Sequence, residues 1–507
     1  MSSRRRVGTA HHDWPRGYCI KPRRVGGTRW AVPTLRLALG LFLAASSSAQ
    51  ETPGDNTSPE GKRAMVTKSG VEMKIYHPES GRTEVVGIID YPVVNVETTK
   101  GGLLWVRARS GLKGWIPKND TVPLADAVSY FSRMISKDPN DIDAFFRRAM
   151  AWHLRGEENN AVKDMDDVIR LDPDSPAAYI NRGSYRDAEK EYELALADFS
   201  EAIRLDPKNA GAFYNRGFTN FLRKEYDDAI ADFSAAIRLD PKYAWAYSNR
   251  GFTWYRKQEY DKALADFDRA IELDAHDASA YANRGRTWTA QREYDKALAD
   301  YDEALRLDPR SDVAYKNRGL TWLALEKYDK ALADFDAAIR LSPLDSRLRN
   351  HRALAWAGLK KYDKALADFT EAIRLDPHDA DILANRGDVW RVRKEYEAAL
   401  ADYIDAIRLN PADGKAYAGR AALWASCPDV KYRDGPRAVD SATHACELSD
   451  WKNPEWIDTL AAAYAQNGQF EEAAKWEDRA LKSADFPNDA VAGAKRRLKN
   501  YQERQSE

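Results

Sequence analysis

Six asparagines, Asn181, Asn215, Asn249, Asn283, Asn317 and Asn385, recur at multiples of 34 residues. An amide side chain offers both a donor and an acceptor, so a row of them can bond the backbone of an extended peptide whatever its sequence. Beside that row the same register brings up Tyr214, Phe218, Phe221, Trp245, Phe252 and Tyr255, with Arg286 and Lys316 supplying positive charge further along. This is the chemistry of holding a chain, not of breaking one. The sequence contains no glycine-rich phosphate loop and no dinucleotide fingerprint. The eight histidines are scattered, with none at metal-ligand spacing. The carboxylates recur with the period, as caps and surface charge do. No catalytic residue, metal or cofactor is expected.

The elements that must position these residues are equally periodic. Residues 142–413 read as eight consecutive repeats of 34 residues. A period held that long implies stacked supersecondary units, each burying its apolar side against its neighbours. With Ala210 as position 1, positions 4, 8 and 11 share one helical face and positions 20, 24 and 27 share another. Each repeat is therefore two short helices, A and B. Glycine at position 8 (Gly217, Gly251, Gly285, Gly319, Gly387) costs about 1 kcal/mol inside a helix, so its recurrence implies a close approach of the pair. Position 34 supplies side chains that can cap helix A, such as Asp141, Asn209 and Asp277, with Tyr243 as the exception. Helix B opens on acids such as Asp227 and ends in an Arg-Leu-Asp-Pro motif, where proline stops it. The arginine at position 7 is expected to pair with the aspartate at position 23.

This pattern resembles the tetratricopeptide repeat (TPR) family, with tryptophan (Trp152, Trp254, Trp288, Trp322, Trp356, Trp390, Trp424) at position 11, where the family usually has tyrosine. The resemblance implies a mainly α fold, a right-handed α-solenoid of about ten helix pairs. It also implies that position 6, the asparagine row, faces a concave groove. Some members of the family hold an extended peptide with such a ladder. The row breaks at Arg147 and His351. The lysine–asparagine–arginine clamp of chaperone-binding members is not matched in spacing.

The flanks differ. Residues 1–49 carry a basic stretch, the apolar run Leu37–Ala45 and small residues before Gln50, which read as a secretory signal peptide; export to the periplasm or cell envelope follows. The apolar run is too short to span a bilayer, so no stable membrane span is expected after cleavage. Removing these residues takes the net charge from −1 to near −9, which argues against nucleic-acid binding. Residues 50–64 form a polar linker. Residues 65–123 alternate β-branched and aromatic residues between glycines, a small all-β domain. Leu104-Trp105-Val106 with Gly114-Trp115-Ile116 resembles the end of a bacterial SH3-like barrel, a fold whose members often bind cell-wall or other peptides. Residues 124–141 form a joining helix like a lone helix B, residues 414–483 two divergent repeats, and residues 484–507 a capping helix and tail. Cys427 and Cys446 lie at opposite ends of an antiparallel helix pair and are expected as free thiols.

Three readings follow: a scaffold binding a protein or peptide ligand in the groove, an envelope protein gripping cell-wall peptide through the β domain, and a regulatory subunit of an enzyme encoded elsewhere.

Overall fold

The computed structural model describes residues 63–67, 72–77, 82–88, 93–100, 103–107 and 113–504. The expected signal peptide and most of the linker lie outside the described residues. The chain divides into two compact parts, residues 1–287 and 288–507.

The first part opens with a seven-stranded antiparallel sheet. Its strands are β1 (Arg63–Val66), β2 (Glu72–His77), β3 (Arg82–Ile88), β4 (Val93–Lys100), β5 (Leu103–Arg107), β6 (Lys113–Pro117) and β7 (Thr121–Pro123), in the spatial order β3-β2-β6-β5-β4-β1-β7. β1 begins inside the stretch read as linker, and its apolar run is only Ala64-Met65-Val66. It earns its place by pairing with β4 on one side and β7 on the other. One face buries Ala64, Val66, Val94, Val96, Leu104, Val106 and Ile116. On the other, Met65, Val93 and Val122 share a core with Val128 and Phe131 of the joining helix Ala127–Lys137 and with Ala144 and Met150 of repeat one. The sheet is thus built onto the start of the helical stack. Arg147 makes the same join, donating from Nη1 to the Val66 carbonyl at 2.8 Å. The asparagine row stops here because position 6 is occupied in fastening the sheet.

In each of the eight repeats helix A fills positions 1–13 and helix B positions 17–30, as in Ala210–Leu222 and Tyr226–Leu239. A β-carbon on Gly217 would lie 3.0 Å from the Asp232 Cβ, and one on Gly387 would lie 2.8 Å from the Tyr403 ring, so in those repeats helix B would have to shift to admit a side chain, whereas repeats one and seven bury alanine there, Ala149 and Ala353. The capping side chains accept first-turn N–H groups at Asp141, Asn209, Asp277, Ser311, Asp345, Asp379 and Asp413. Tyr243 makes no such bond, and neither does Ser175.

Position 15 carries a feature that the residue types conceal. Lys190, Lys224, Gln258, Arg292, Glu326, Lys360 and Lys394 all adopt φ between 57° and 67°. Each sits just past helix A, where a left-handed residue lets its own N–H and the next reach back to orphan carbonyls, as Lys224 does to Phe221 and Glu225 to Asn220. A side chain there costs about 1 kcal/mol, a penalty that Gly156 and Gly468 avoid at the equivalent turns.

The second part continues through two divergent repeats, whose helices are Gly414–Ser426 with Gly435–Leu448 and Pro454–Gln466 with Phe470–Leu481. A final helix, Val491–Arg504, buries Ala494 and Tyr501 against them. Arg497 pairs with Glu477 at 2.9 Å and with Asp458, tying this cap to the last repeat. Cys427 and Cys446 are free and buried. Among the described residues no helix is long and apolar enough to cross a membrane.

Candidate functional site

The arginine at position 7 joins neighbouring repeats. Arg250 gives Nε and Nη2 to the two oxygens of buried Asp266 at 2.8 and 2.7 Å, and Nη1 to Ser234 of the preceding repeat at 2.9 Å. Its guanidinium lies over the Tyr247 ring, 5.6 Å from the centroid. Arg182, Arg216, Arg318, Arg352 and Arg386 repeat the aspartate pair. Arg148 also does so, and its Nη1 reaches Ser132 in the joining helix, which therefore stands where a preceding helix B would. The position-7 to position-23 pairing expected from the sequence holds.

Position 6, one residue earlier, is not uniform. Asn181 is wholly buried; its Nδ2 donates to the Ala177 carbonyl at 2.9 Å, and its Oδ1 has no partner. Asn249 donates to the Tyr214 hydroxyl at 2.7 Å. Asn385 donates to Asn350 Oδ1 at 3.0 Å and accepts from Lys415. These three amides are spent on the protein itself. Asn215, Asn283 and Asn317 are half-buried, and their side chains form no hydrogen bond among the described residues. The difference has a register. Both Asn249 and Asn385 meet the residue 35 positions back, at position 5 of the preceding repeat. Where that residue is a tyrosine or asparagine, the amide is taken. For Asn215 it is Ile180, which offers nothing. His351, where the row breaks, has a buried Nδ1 with no hydrogen bond among the described residues; burial first, then the Lys316 charge, holds its imidazole down at about 4.

The aromatic residues also depart from expectation. Tyr214, Phe218, Phe221, Trp245 and Phe252 expose between 5% and 9% of their surface and belong to one core cluster. They are packing residues rather than an open lining, because rings on successive helices A fill the space between repeats. Phe221 meets Phe252 at 5.7 Å, and Phe252 stacks on Tyr255 at 5.8 Å. Only the far end emerges. Tyr255 is half-buried, and exposed Arg286 lies 4.8 Å over its ring while donating from Nε to its hydroxyl at 3.1 Å. Lys316, half-buried, stands in the second part of the chain. Asn350 and Lys415 were not anticipated; only the 35-residue offset identifies them.

Family models described as TPR repeat match residues 188–223 and 220–258, and models described as tetratricopeptide repeat match residues 244–277, 278–311, 317–380 and 358–421. The chain carries tetratricopeptide repeats. Similar solved structures include the yeast Tom70, 18% identical over 76% of this TPR chain and 93% of that one, with a TM-score of 0.41. A tetratricopeptide repeat protein from Parabacteroides merdae is 19% identical over 49% and 98%, with a TM-score of 0.42. YrrB, described as a TPR protein with an unusual peptide-binding site, is 26% identical over 39% and 99%, with a TM-score of 0.32. No curated protein sequence matches this TPR protein. A stack of such repeats is the architecture of a protein-interaction scaffold.

Proposed function

We propose that this TPR protein is an exported, non-enzymatic scaffold whose helix-A face holds an extended peptide or protein segment. The observation that carries the reading is the pair Asn215 and Asn283: half-buried amides, 68 residues apart, with no side-chain hydrogen bond among the described residues, in the same part of the chain as the edge formed by half-buried Tyr255 and exposed Arg286. Each would give and take one backbone hydrogen bond, and Arg286 would favour a carboxylate or a carbonyl beside them. The test is selection of unstructured peptides from a displayed library with the full chain. The double variant N215A/N283A should bind the selected peptides at least tenfold more weakly, at about 1 kcal/mol per hydrogen bond lost, with unchanged helical circular dichroism. Asn181→Ala, a change to a buried and internally bonded amide, should leave affinity unaltered. Undiminished binding by the double variant would refute the groove assignment.

A second reading rests on the sheet. Trp105 and Trp115 are direct cross-strand partners, 5.3 Å apart edge to face and half-exposed, on the side opposite Leu104, Val106 and Ile116. Beside them Arg107 and Lys113 share Glu97. We infer an aromatic platform for cell-wall peptide. Because the sheet shares its core with the first helices, the full chain is the proper reagent. Purified cell wall should sediment it, and Trp115→Ala should abolish the effect. Failure of the unaltered chain to sediment rules this version out.

A further inference from the structure

Arg420 holds position 7 of repeat nine, and there the arginine ladder loses its acids. In repeats six and seven, Arg318 and Arg352 each bond a buried aspartate 16 residues ahead and a second aspartate 16 residues behind. In repeat nine the insertion after Cys427 displaces helix B, and the matching place falls to Ser441. Its hydroxyl receives Arg420 Nε at 3.2 Å and itself donates to the Tyr417 carbonyl at 2.9 Å. Sixteen residues behind stands Ile404, 49% exposed. No carboxylate hydrogen-bonds to Arg420 among the described residues, and its terminal nitrogens make no hydrogen bond there; the one carboxylate acting on it, Asp440, does so only through its charge. The walls of the site are aromatic: the Tyr417 ring lies 5.2 Å and the Trp424 ring 4.8 Å from the guanidinium carbon. The His444 ring lies 4.5 Å from that of Tyr417, and Arg437 lies 6.0 Å over Trp424. Burial holds the Arg420 guanidinium below its ordinary value, whereas Arg318 and Arg352 are held above theirs by their aspartates.

We propose that Arg420 is a docking point for an aspartate or glutamate side chain of a protein partner. The ladder itself is the template: Arg216, Arg250 and Arg318, each over a position-4 ring, take a carboxylate bidentately, and with Nε given to Ser441 the two terminal nitrogens of Arg420 remain for one. The exposed isoleucine where the second acid would stand selects an acidic residue with an apolar neighbour, which a free anion lacks. The inference is independent of the amide row.

The test uses the full chain and three probes: a fluorescein-labelled peptide alternating leucine and glutamate, its glutamine counterpart, and inorganic phosphate. By anisotropy the glutamate peptide should bind at least tenfold tighter than the glutamine one. Ser441→Asp restores the missing acid, so it should erase that preference and raise the thermal midpoint. Arg420→Met should erase the preference without the gain in stability, and N215A/N283A should leave it intact. A preference that survives Ser441→Asp overturns the site. Displacement of the peptide by millimolar phosphate overturns the occupant, leaving a small-anion site.

Discussion

Replacing Arg250 by methionine should cost 3–5 kcal/mol, on the order seen when a buried ion pair loses one member. Asp266 is buried, and its carboxyl is pushed up by burial and pulled down by Arg250. Without the guanidinium, two carboxylate oxygens remain out of water with their strongest donors gone, and Ser234 loses its donor too. The loss should shrink as the pH falls, because Asp266, raised by burial and no longer held down by Arg250, takes up a proton and then needs no counter-charge. The double variant R250M/D266L should recover most of the stability, since paired apolar groups replace a buried ion pair at little net loss. Arg204→Ala is the contrast: its pair with Glu201 lies at the surface, where water screens it, and its loss should barely move the midpoint. The measurement is the urea midpoint of the far-ultraviolet circular dichroism. If R250M loses no more than Arg204→Ala, the ladder is decoration rather than the joint between repeats.

What the sequence disclosed, and what it hid, divides by range. Position 8 glycines, position 34 caps and the pairing of Arg216 with Asp232 are set at fixed short offsets, and a period exposes them. The fate of an amide is set by a residue in another repeat. Asn249 and Asn215 occupy the same position and differ because Tyr214 and Ile180 stand 35 residues before them. A single-position reading treats them as alike. The aromatic residues failed for a related reason: ring type does not distinguish lining from filling, and Phe218 or Trp245 is buried by its neighbours rather than by its own helix. The left-handed turn at position 15 was invisible because lysine, arginine and glutamate occupy a place where glycine would have announced it. Arg147 read as a gap in the row, whereas it is the bolt between sheet and stack.

Asp187 gives the second large effect, and its sign is opposite to that of a carboxylate lowered by a surface ion pair, such as Glu201. It lies buried, accepting from Thr219 Oγ1 at 2.9 Å, with no cation bonded to it among the described residues. Burial pushes its carboxyl up to about 7; nearby Tyr192 is raised as well, first by burial and then by the Asp187 charge. A carboxyl whose folded value exceeds its unfolded one holds its proton more tightly when folded. Its stabilising share is therefore complete below about pH 4, declines as the pH climbs towards 7, and is absent above that. Asp187→Asn keeps an acceptor for Thr219 and removes the charge. At pH 8 the variant should be more stable than the parent by about 2–4 kcal/mol, since the span between 3.8 and about 7 corresponds at most to roughly 4 kcal/mol. At pH 4 the two should agree within about 0.5 kcal/mol, the scatter expected of a substitution that changes no charge there. Urea midpoints measured at both pH values on both proteins decide it, because charges common to the two cancel in the difference. Curves that stay parallel from pH 4 to 8 would mean that water or a cation reaches Asp187 and keeps it ionised throughout.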